Sequence, residues 1–311
     1  MLYRLEDDLE ITNFDEINQN SLCLGYINYN ELLANYKKLG FAKHTVEMCR
    51  QHSSFFSCDI ESFDDYSFVK INVINAKSPS LSKNSIGVYI KKNLLLIVNV
   101  KEYECSNRDM FMNLMSKISC ENITVEKLVC SFFEVLIAGD NKEFEEAQEQ
   151  INTLEETVLK NNLDKNFNIK LLSLKKELLS LRGYYEQLID ISEALRENEN
   201  EIFEQAGLKQ FSIFTDKAVR LKENVDLLRD SVVHLWDAYQ ACMDMRLNKT
   251  MNVFALVTTV FFPITVVASW YGMNFEFMPE LKWKYGYIYV IVLSVTVVSG
   301  FYLWLKRKKW F

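Results

Sequence analysis

A chain of 311 residues with 9 glycines and 3 prolines has little material for turns, so long helices are expected. The net charge of −7 is uneven: residues 251–311 hold six Lys/Arg against two Glu, which leaves a balance of −11 on residues 1–250. That acidic first part argues against nucleic acid as a partner, because phosphate binding needs clustered Lys and Arg, and it suits a surface that gathers cations.

The first thirty residues alternate acidic and apolar types without a basic start and apolar centre, so no signal peptide is expected. Residues 1–140 read as an α/β cytoplasmic domain. Runs 66–74, 85–90 and 94–100 have strand composition, the last two flanking the turn Lys91-Lys92-Asn93. Runs 31–38, 109–117 and 125–138 have helical patterning. No P-loop, dinucleotide fingerprint or nucleophile arrangement is present, which points away from an enzyme and from a cofactor. The seven cysteines are scattered without a Cys-x-x-Cys pair, and the three histidines share no ligand spacing, so reduced thiols are expected rather than a disulfide framework or a zinc knuckle.

Residues 141–207 read as a cytoplasmic helical hairpin. An acidic helix over 142–161 and a second helix over 168–205, with Leu171, Leu172, Leu174, Leu178, Leu179 and Leu181 on its packing side, are joined by a turn at 162–166. Acidic runs of this kind are usually solvated helix faces; their functional reading is a surface that concentrates cations near a membrane.

Residues 208–252 form the next segment, a stalk helix. From Asp216 to Asn252 there is no Gly or Pro, and Leu221, Val225, Leu228, Val232, Leu235, Tyr239 and Cys242 alternate in spacings of four and three, a heptad seam. Asp216, Glu223, Asp230, Asp237 and Asp244 recur every seven residues on another face. The ordinary reading of that column is a solvated surface. In a cyclic assembly whose helices turn this face to the axis, each acid becomes a ring, with Asp237 and Asp244 nearest the membrane.

Two uncharged runs of about 20 residues follow, 253–271 and 285–305, each long enough to cross roughly 30 Å of hydrocarbon. Arg246 and Lys249 precede the first, and Lys306, Arg307, Lys308 and Lys309 follow the second in the basic tail 306–311. In the connector 272–284, Lys282 and Lys284 are balanced by Glu276 and Glu280. The positive-inside rule therefore puts both chain ends in the cytoplasm and the connector outside, in a multi-pass protein of the cell membrane. Two helices cannot enclose a path, so conduction needs several copies around an axis. The first span, with Thr258, Thr259, Thr265 and Ser269, is the better axial helix.

The stretch NKTMNVFALVTTVFFPITVVASWYGMNFEFMPELKWKYGY, residues 248–287, closely resembles the membrane signature of the CorA family of magnesium transporters, with Gly272-Met273-Asn274 and Met278-Pro279-Glu280-Leu281. The basic ending KRKKWF and the run at 174–195 are similar to the family as well. The resemblance implies a funnel-shaped homopentamer in the lipid bilayer, with a pore-lining first span. It implies Mg²⁺ influx, with Co²⁺ and Ni²⁺ as further divalent cations carried.

Matched position by position, Gly272, Met273 and Asn274 are the selectivity filter, with Asn274 meeting the hydrated ion. Glu276 and Glu280 are outer-mouth acids. Asn248, Met251, Phe254, Thr258, Phe262 and Thr265 line the pore or gate it, and Asp237 and Asp244 form the inner acidic ring. Where relatives carry Arg-Asp-x-x-Asp-His, this chain has Ser212-Ile213-Phe214-Thr215-Asp216-Lys217, which keeps Asp216 alone of the two regulatory acids. A zinc transporter on the same scaffold and a membrane-anchored coiled-coil adaptor without a pore are the competing readings.

Overall fold

The structure, a computed structural model, describes residues 1–5, 9–14, 17, 21–50, 56, 59–74, 83–100, 106–118, 123–160, 166–273, 278 and 283–307. It comprises two units, Met1–Trp236 and Asp237–Phe311.

Seven strands organise the first unit: β1 (Leu2–Leu5), β2 (Leu9–Ile11), β3 (Leu22–Asn28), β4 (Asp59–Ser62), β5 (Ser67–Ile74), β6 (Lys83–Lys91) and β7 (Leu94–Asn99). They form one sheet in the order β2-β1-β3-β7-β6-β5-β4. Its one parallel pair is β3 with β7, and the others run antiparallel. Helices α1 (Tyr29–Asn35), α2 (Lys43–Arg50), α3 (Ser106–Lys117) and α4 (Val125–Leu136) pack around it. Leu94, Leu96 and Val98 of β7 join a core with Leu32 of α1 and with Val46 and Cys49 of α2. Leu95 and Ile97 point the other way and are buried too. Cover on both faces explains why β7 reads as a continuous apolar run from Leu94 to Val98 rather than as alternation.

The three strands expected from sequence are β5, β6 and β7. Strands β1 to β4 and helix α2 were not expected; β1, β2 and β4 are three or four residues long and carry too little periodicity. Cys23, Cys49, Cys130 and Cys242 are buried thiols outside any disulfide.

The helical part consists of α5 (Asp140–Leu159), α6 (Phe167–Glu197), α7 (Leu208–Tyr271) and α8 (Gly286–Arg307). Gly139 turns the chain into α5 at φ +92°, a conformation that disfavours a side chain. The expected turn between α5 and α6 lies, from 161 to 165, outside the described residues. Asp140 opens α5 as a buried carboxyl that accepts a 2.6 Å hydrogen bond from Tyr185 Oη of α6. Burial raises its pKa from the usual 3.8, and the tyrosine bond acts in the opposite direction. The folded state therefore holds this proton more tightly than the unfolded one, so stability is lost as pH rises from 3.8 through the folded value. Tyr185→Phe, which strands the carboxylate, is expected to cost about 1–3 kcal/mol at neutral pH and less in acid. Thermal melts at several pH values check this, and a cost independent of pH counts against it.

Leu172 and Leu179, expected on the packing side of α6, are exposed instead, because only Leu171, Leu174, Leu178 and Leu181 keep the three- and four-residue spacing of one helix face. Helix α6 is also shorter than the sequence indicates. It stops at Glu197 rather than continuing to Gln205, because Asn198 caps it in the left-handed region at φ +51°. Asn198 bonds both ways to the Phe203 backbone, at 2.9 and 3.0 Å. Asn200 Nδ2 donates to Phe63 O and Ser67 Oγ, both at 2.9 Å. The Glu204 N–H donates to buried Glu126 at 2.7 Å. Side chains thus supply the bonds that further helical turns would have made, and they fix the connector that leads into α7.

Helices α6 and α7 are antiparallel neighbours. Ser192 meets Thr215 at 3.0 Å, Glu186 pairs with Lys222 at 3.2 Å, and Arg182 pairs with Asp226 at 3.2 Å. Lys217 of α7 pairs with Glu134 of α4. The buried seam of α7 starts earlier than the sequence reading placed it, at Phe211, Phe214 and Ala218, and continues through Leu221, Val225, Leu228, Val232 and Leu235. In the second unit Cys242 keeps the same spacing buried, with Tyr239 half-buried.

Candidate ion pathway

Asp216, Glu223, Asp230, Asp237 and Asp244 are all exposed on α7. A helix turns about 100° per residue, so Asp216 stands about 200° from Phe214 and the acids lie opposite the buried seam. The seven-residue count does not stop with them. It continues to Met251, Thr258 and Thr265, and its next step is Gly272, immediately past the end of α7. Asn248, Phe254 and Phe262 fall within about 60° of their neighbours in this series. Within the second unit Asp237, Asp244 and the candidates in the first span are therefore successive levels of one face. That face winds around a straight helix by ~20° per repeat.

In the second unit this face is uncovered. Met251 is 58%, Phe254 64% and Phe262 67% exposed, and Asn248, Thr258 and Thr265 are exposed as well. Thr258 Oγ1 donates to Phe254 O at 2.9 Å and Thr265 Oγ1 to Phe261 O at 3.0 Å. With its proton engaged by the helix, each hydroxyl presents lone pairs outward, where they can accept from the water shell of a cation.

Pro263 sits inside α7, where its missing N–H leaves the Thr259 carbonyl without its helical donor. A hollow of about 480 Å³ lies at this level, lined by Thr258, Thr259, Phe262 and Pro263 of α7 and by Val297 and Phe301 of α8. Thr258 and Phe262 thus share a hollow with α8 within a single chain. A second hollow of about 340 Å³ is lined by Phe262, Thr265, Ser269, Trp270 and Met273.

At the end of α7 the Gly272 N–H bonds Ala268 O at 2.9 Å, and the Met273 N–H bonds Trp270 O at 3.4 Å. A Cβ on Gly272 would stand 3.1 Å from Ala268 O. Glycine is therefore favoured here by a close backbone approach, since its φ is outside the left-handed region. Asn274, Glu276 and Glu280 lie outside the described residues. Beyond the connector, Trp283 packs 6.1 Å from Tyr285 and 6.2 Å from Tyr289, an aromatic cluster at the start of α8 of the kind found at membrane interfaces. Helices α7 and α8 are each long and apolar enough to cross a membrane.

Among the described residues, no three His, Cys, Asp or Glu side chains gather to hold a metal ion. Asp216 is exposed, one helical turn from the exposed Ile213. Sequence reasoning found the acid column and the span residues separately. It missed that they share one count, although the signal was the same period of seven carried three steps further.

Residues 29–307 match the family described as CorA-like Mg²⁺ transporter protein. The chain is 27% identical over 258 residues to the cobalt/magnesium transport protein CorA of Thermotoga maritima, covering 81% of this chain and 72% of that one. It is 41% identical over 98 residues to the magnesium transport protein CorA of Salmonella typhimurium, a stretch covering 32% of this chain and 31% of that one. The fold superposes on the complete structure of the CorA magnesium transporter from Methanocaldococcus jannaschii with a TM-score of 0.80 at 17% identity, over 100% of this chain and 99% of that one. With all but its first 28 residues and its last few inside the family match, the chain belongs to the CorA-like Mg²⁺ transporter family.

Proposed function

We propose that five copies of this chain assemble around an axis lined by the acid-bearing face of α7 and conduct Mg²⁺ into the cell down its electrochemical gradient, with Co²⁺ and Ni²⁺ as secondary cargo. One observation carries the reading: carboxylates, a methionine and two hydroxyls occupy successive levels of a single seven-residue series on one helix, and the next step of the count is Gly272 of the Gly-Met-Asn motif. Exposed Leu227 and Val233 flank the acid Asp230 at about 60° on either side. Close packing of copies would cover them and leave the acids facing inward.

The chemistry follows from the ion. Mg²⁺ gives up water reluctantly and prefers octahedral oxygen coordination, so it is best selected with its water shell in place. In this reading Glu276 and Glu280 raise the local cation concentration outside, and Asn274 carbonyls accept from the hydrated ion without holding it as tightly as five carboxylates would. Thr265 and Thr258 oxygens continue the contact. Phe262, Phe254 and Met251 narrow the path into a hydrophobic constriction that gates by dewetting. Asn248, Asp244 and Asp237 receive the ion at the cytoplasmic end, with both chain termini on that side. A divalent cation gains about 4.6 kcal/mol per 100 mV of inward-negative potential, so no ATP is required.

The test is rescue of a cell deficient in magnesium transport. The wild-type chain is expected to restore growth at low Mg²⁺, and Asn274→Ala to lose the rescue at equal membrane expression. Equal rescue by both removes Asn274 from the filter. Uptake of Mg²⁺, Co²⁺, Ni²⁺ and Zn²⁺ into liposomes holding the purified protein ranks the ions, and a preference for Zn²⁺ overturns the magnesium reading.

A further inference from the structure

At one end of the sheet in the first unit, five segments far apart in sequence, the first of them carrying Phe14 and Ile17, line a cavity of about 680 Å³, within the range that holds small-molecule ligands. The end of α1 contributes Lys38 and Leu39, the β4–β5 turn Asp64 and Asp65, and the β6–β7 turn Lys91, Lys92 and Asn93. The connector into α7 contributes Asn200 and Ile202.

Lys91 is the residue that needs explaining. Its ammonium is half-buried, donates to Leu39 O at 2.6 Å and lies 5.3 Å from the centre of the Phe41 ring. Among the described residues no carboxylate comes within ion-pairing distance of it. Burial lowers its pKa, and the more distant Asp65 only partly opposes this. Lys92 and Lys38 add two exposed cations to the same wall. A half-buried cation held in no close ion pair among the described residues, with two further lysines beside it, makes this wall of the cavity a place for an anion.

Asp64 and Asp65 narrow the choice. Their carboxylates repel a ligand that is anionic throughout and accept from one that also carries hydroxyl or amino donors. Leu39, Leu94 and Ile202 offer an apolar surface beside them. We propose that the cavity binds a nucleotide, its phosphates on Lys91, Lys92 and Lys38, its ribose or base donors on Asp64 and Asp65, and its base against the apolar wall. Because Asn200 and Ile202 form part of the lining, the ligand touches the connector that leads into α7. That connector also holds Glu201 at φ +53°, a strained conformation for a non-glycine residue.

The experiment is independent of transport. Calorimetric titrations of ADP, adenosine and inorganic phosphate into the purified full-length protein are made in chelator, without Mg²⁺. ADP is expected to bind once per chain, with adenosine and phosphate each at least tenfold weaker. Lys92→Glu, in an exposed turn that leaves the fold intact, is expected to weaken ADP at least tenfold, and Lys38→Glu to weaken it as well. Absence of ADP binding at about 1 mM, unchanged affinity in both variants, or phosphate binding as tight as ADP overturns the proposal.

Discussion

Placing an aspartate at Val225 is expected to destabilise the protein by about 3–5 kcal/mol, enough to remove most of the stability of an ordinary domain. Val225 is fully buried in the seam of α7, between Leu221 and Leu228, which are themselves buried. A carboxylate there lies between buried leucines and must either be desolvated or force the seam apart. Two residues away the same helix is wet: Glu223 is exposed, and Glu223→Gln is expected to change stability by no more than about 0.5 kcal/mol. Thermal melts of the two variants in one detergent separate the faces. If Val225→Asp melts with the wild type, the seam is not what holds α7 to its unit. If Glu223→Gln is the damaging change, the acid face is structural rather than part of an ion path. With the fold intact in Glu223→Gln, ion uptake by that variant reads the contribution of a single acidic level.

The parts of the fold legible in the sequence were those whose signal is repetition. The seam of α7 announced itself in spacings of four and three, and both spans in uncharged runs long enough for a bilayer. Strand β7 was legible because it is buried on both faces and apolar from Leu94 to Val98, and β5 and β6 because they are rich in Val, Ile, Phe and Tyr. What escaped was local and side-chain dependent. Strand β4 is the four residues Asp-Ile-Glu-Ser, whose place in the sheet comes from pairing with β5 rather than from its own composition. The end of α6 escaped because Asn198-Glu199-Asn200-Glu201 continues a charged helical run on paper. The left-handed cap at Asn198 and the reach of Asn200 to Phe63 and Ser67 depend on tertiary partners. An asparagine pair shortly before Gly207 was the available hint. The lysine-lined cavity could not be read at all, since its residues come from segments as far apart as Phe14 and Ile202 and only the sheet brings them together.

The candidate pathway shows the same division. The Gly-Met-Asn stretch was recognisable as a motif, whereas the reason for Gly272, the approach of Ala268 O, required coordinates. Heptad order on two opposite faces of α7 gives that helix two tasks. The apolar face is buried and the acidic face is exposed, and in the proposed assembly that exposed face would line the axis between copies. Conduction would then depend on phase: each level of the face must point the same way as the next for an ion to pass between rings.

Phase can be tested directly. Inserting one alanine between Arg246 and Leu247 turns everything beyond it by about 100° relative to Asp237 and Asp244, so that Met251, Thr258 and Thr265 leave the line of the acids while every one of these side chains is retained. Mg²⁺ uptake is expected to fall at least tenfold, with membrane expression and oligomer size unchanged. Duplicating residues 240–246 adds about 700°, only ~20° short of two full turns, and lengthens the helix by about 10 Å. That variant restores the alignment and is expected to retain most of the uptake, because the added length falls on the cytoplasmic side of the span. A point substitution cannot make this distinction, since it changes chemistry and leaves phase alone. Normal uptake after the single insertion would show that the acids and the span residues act independently, and equal loss in both insertions would show that helix length, rather than the shared face, is what transport requires.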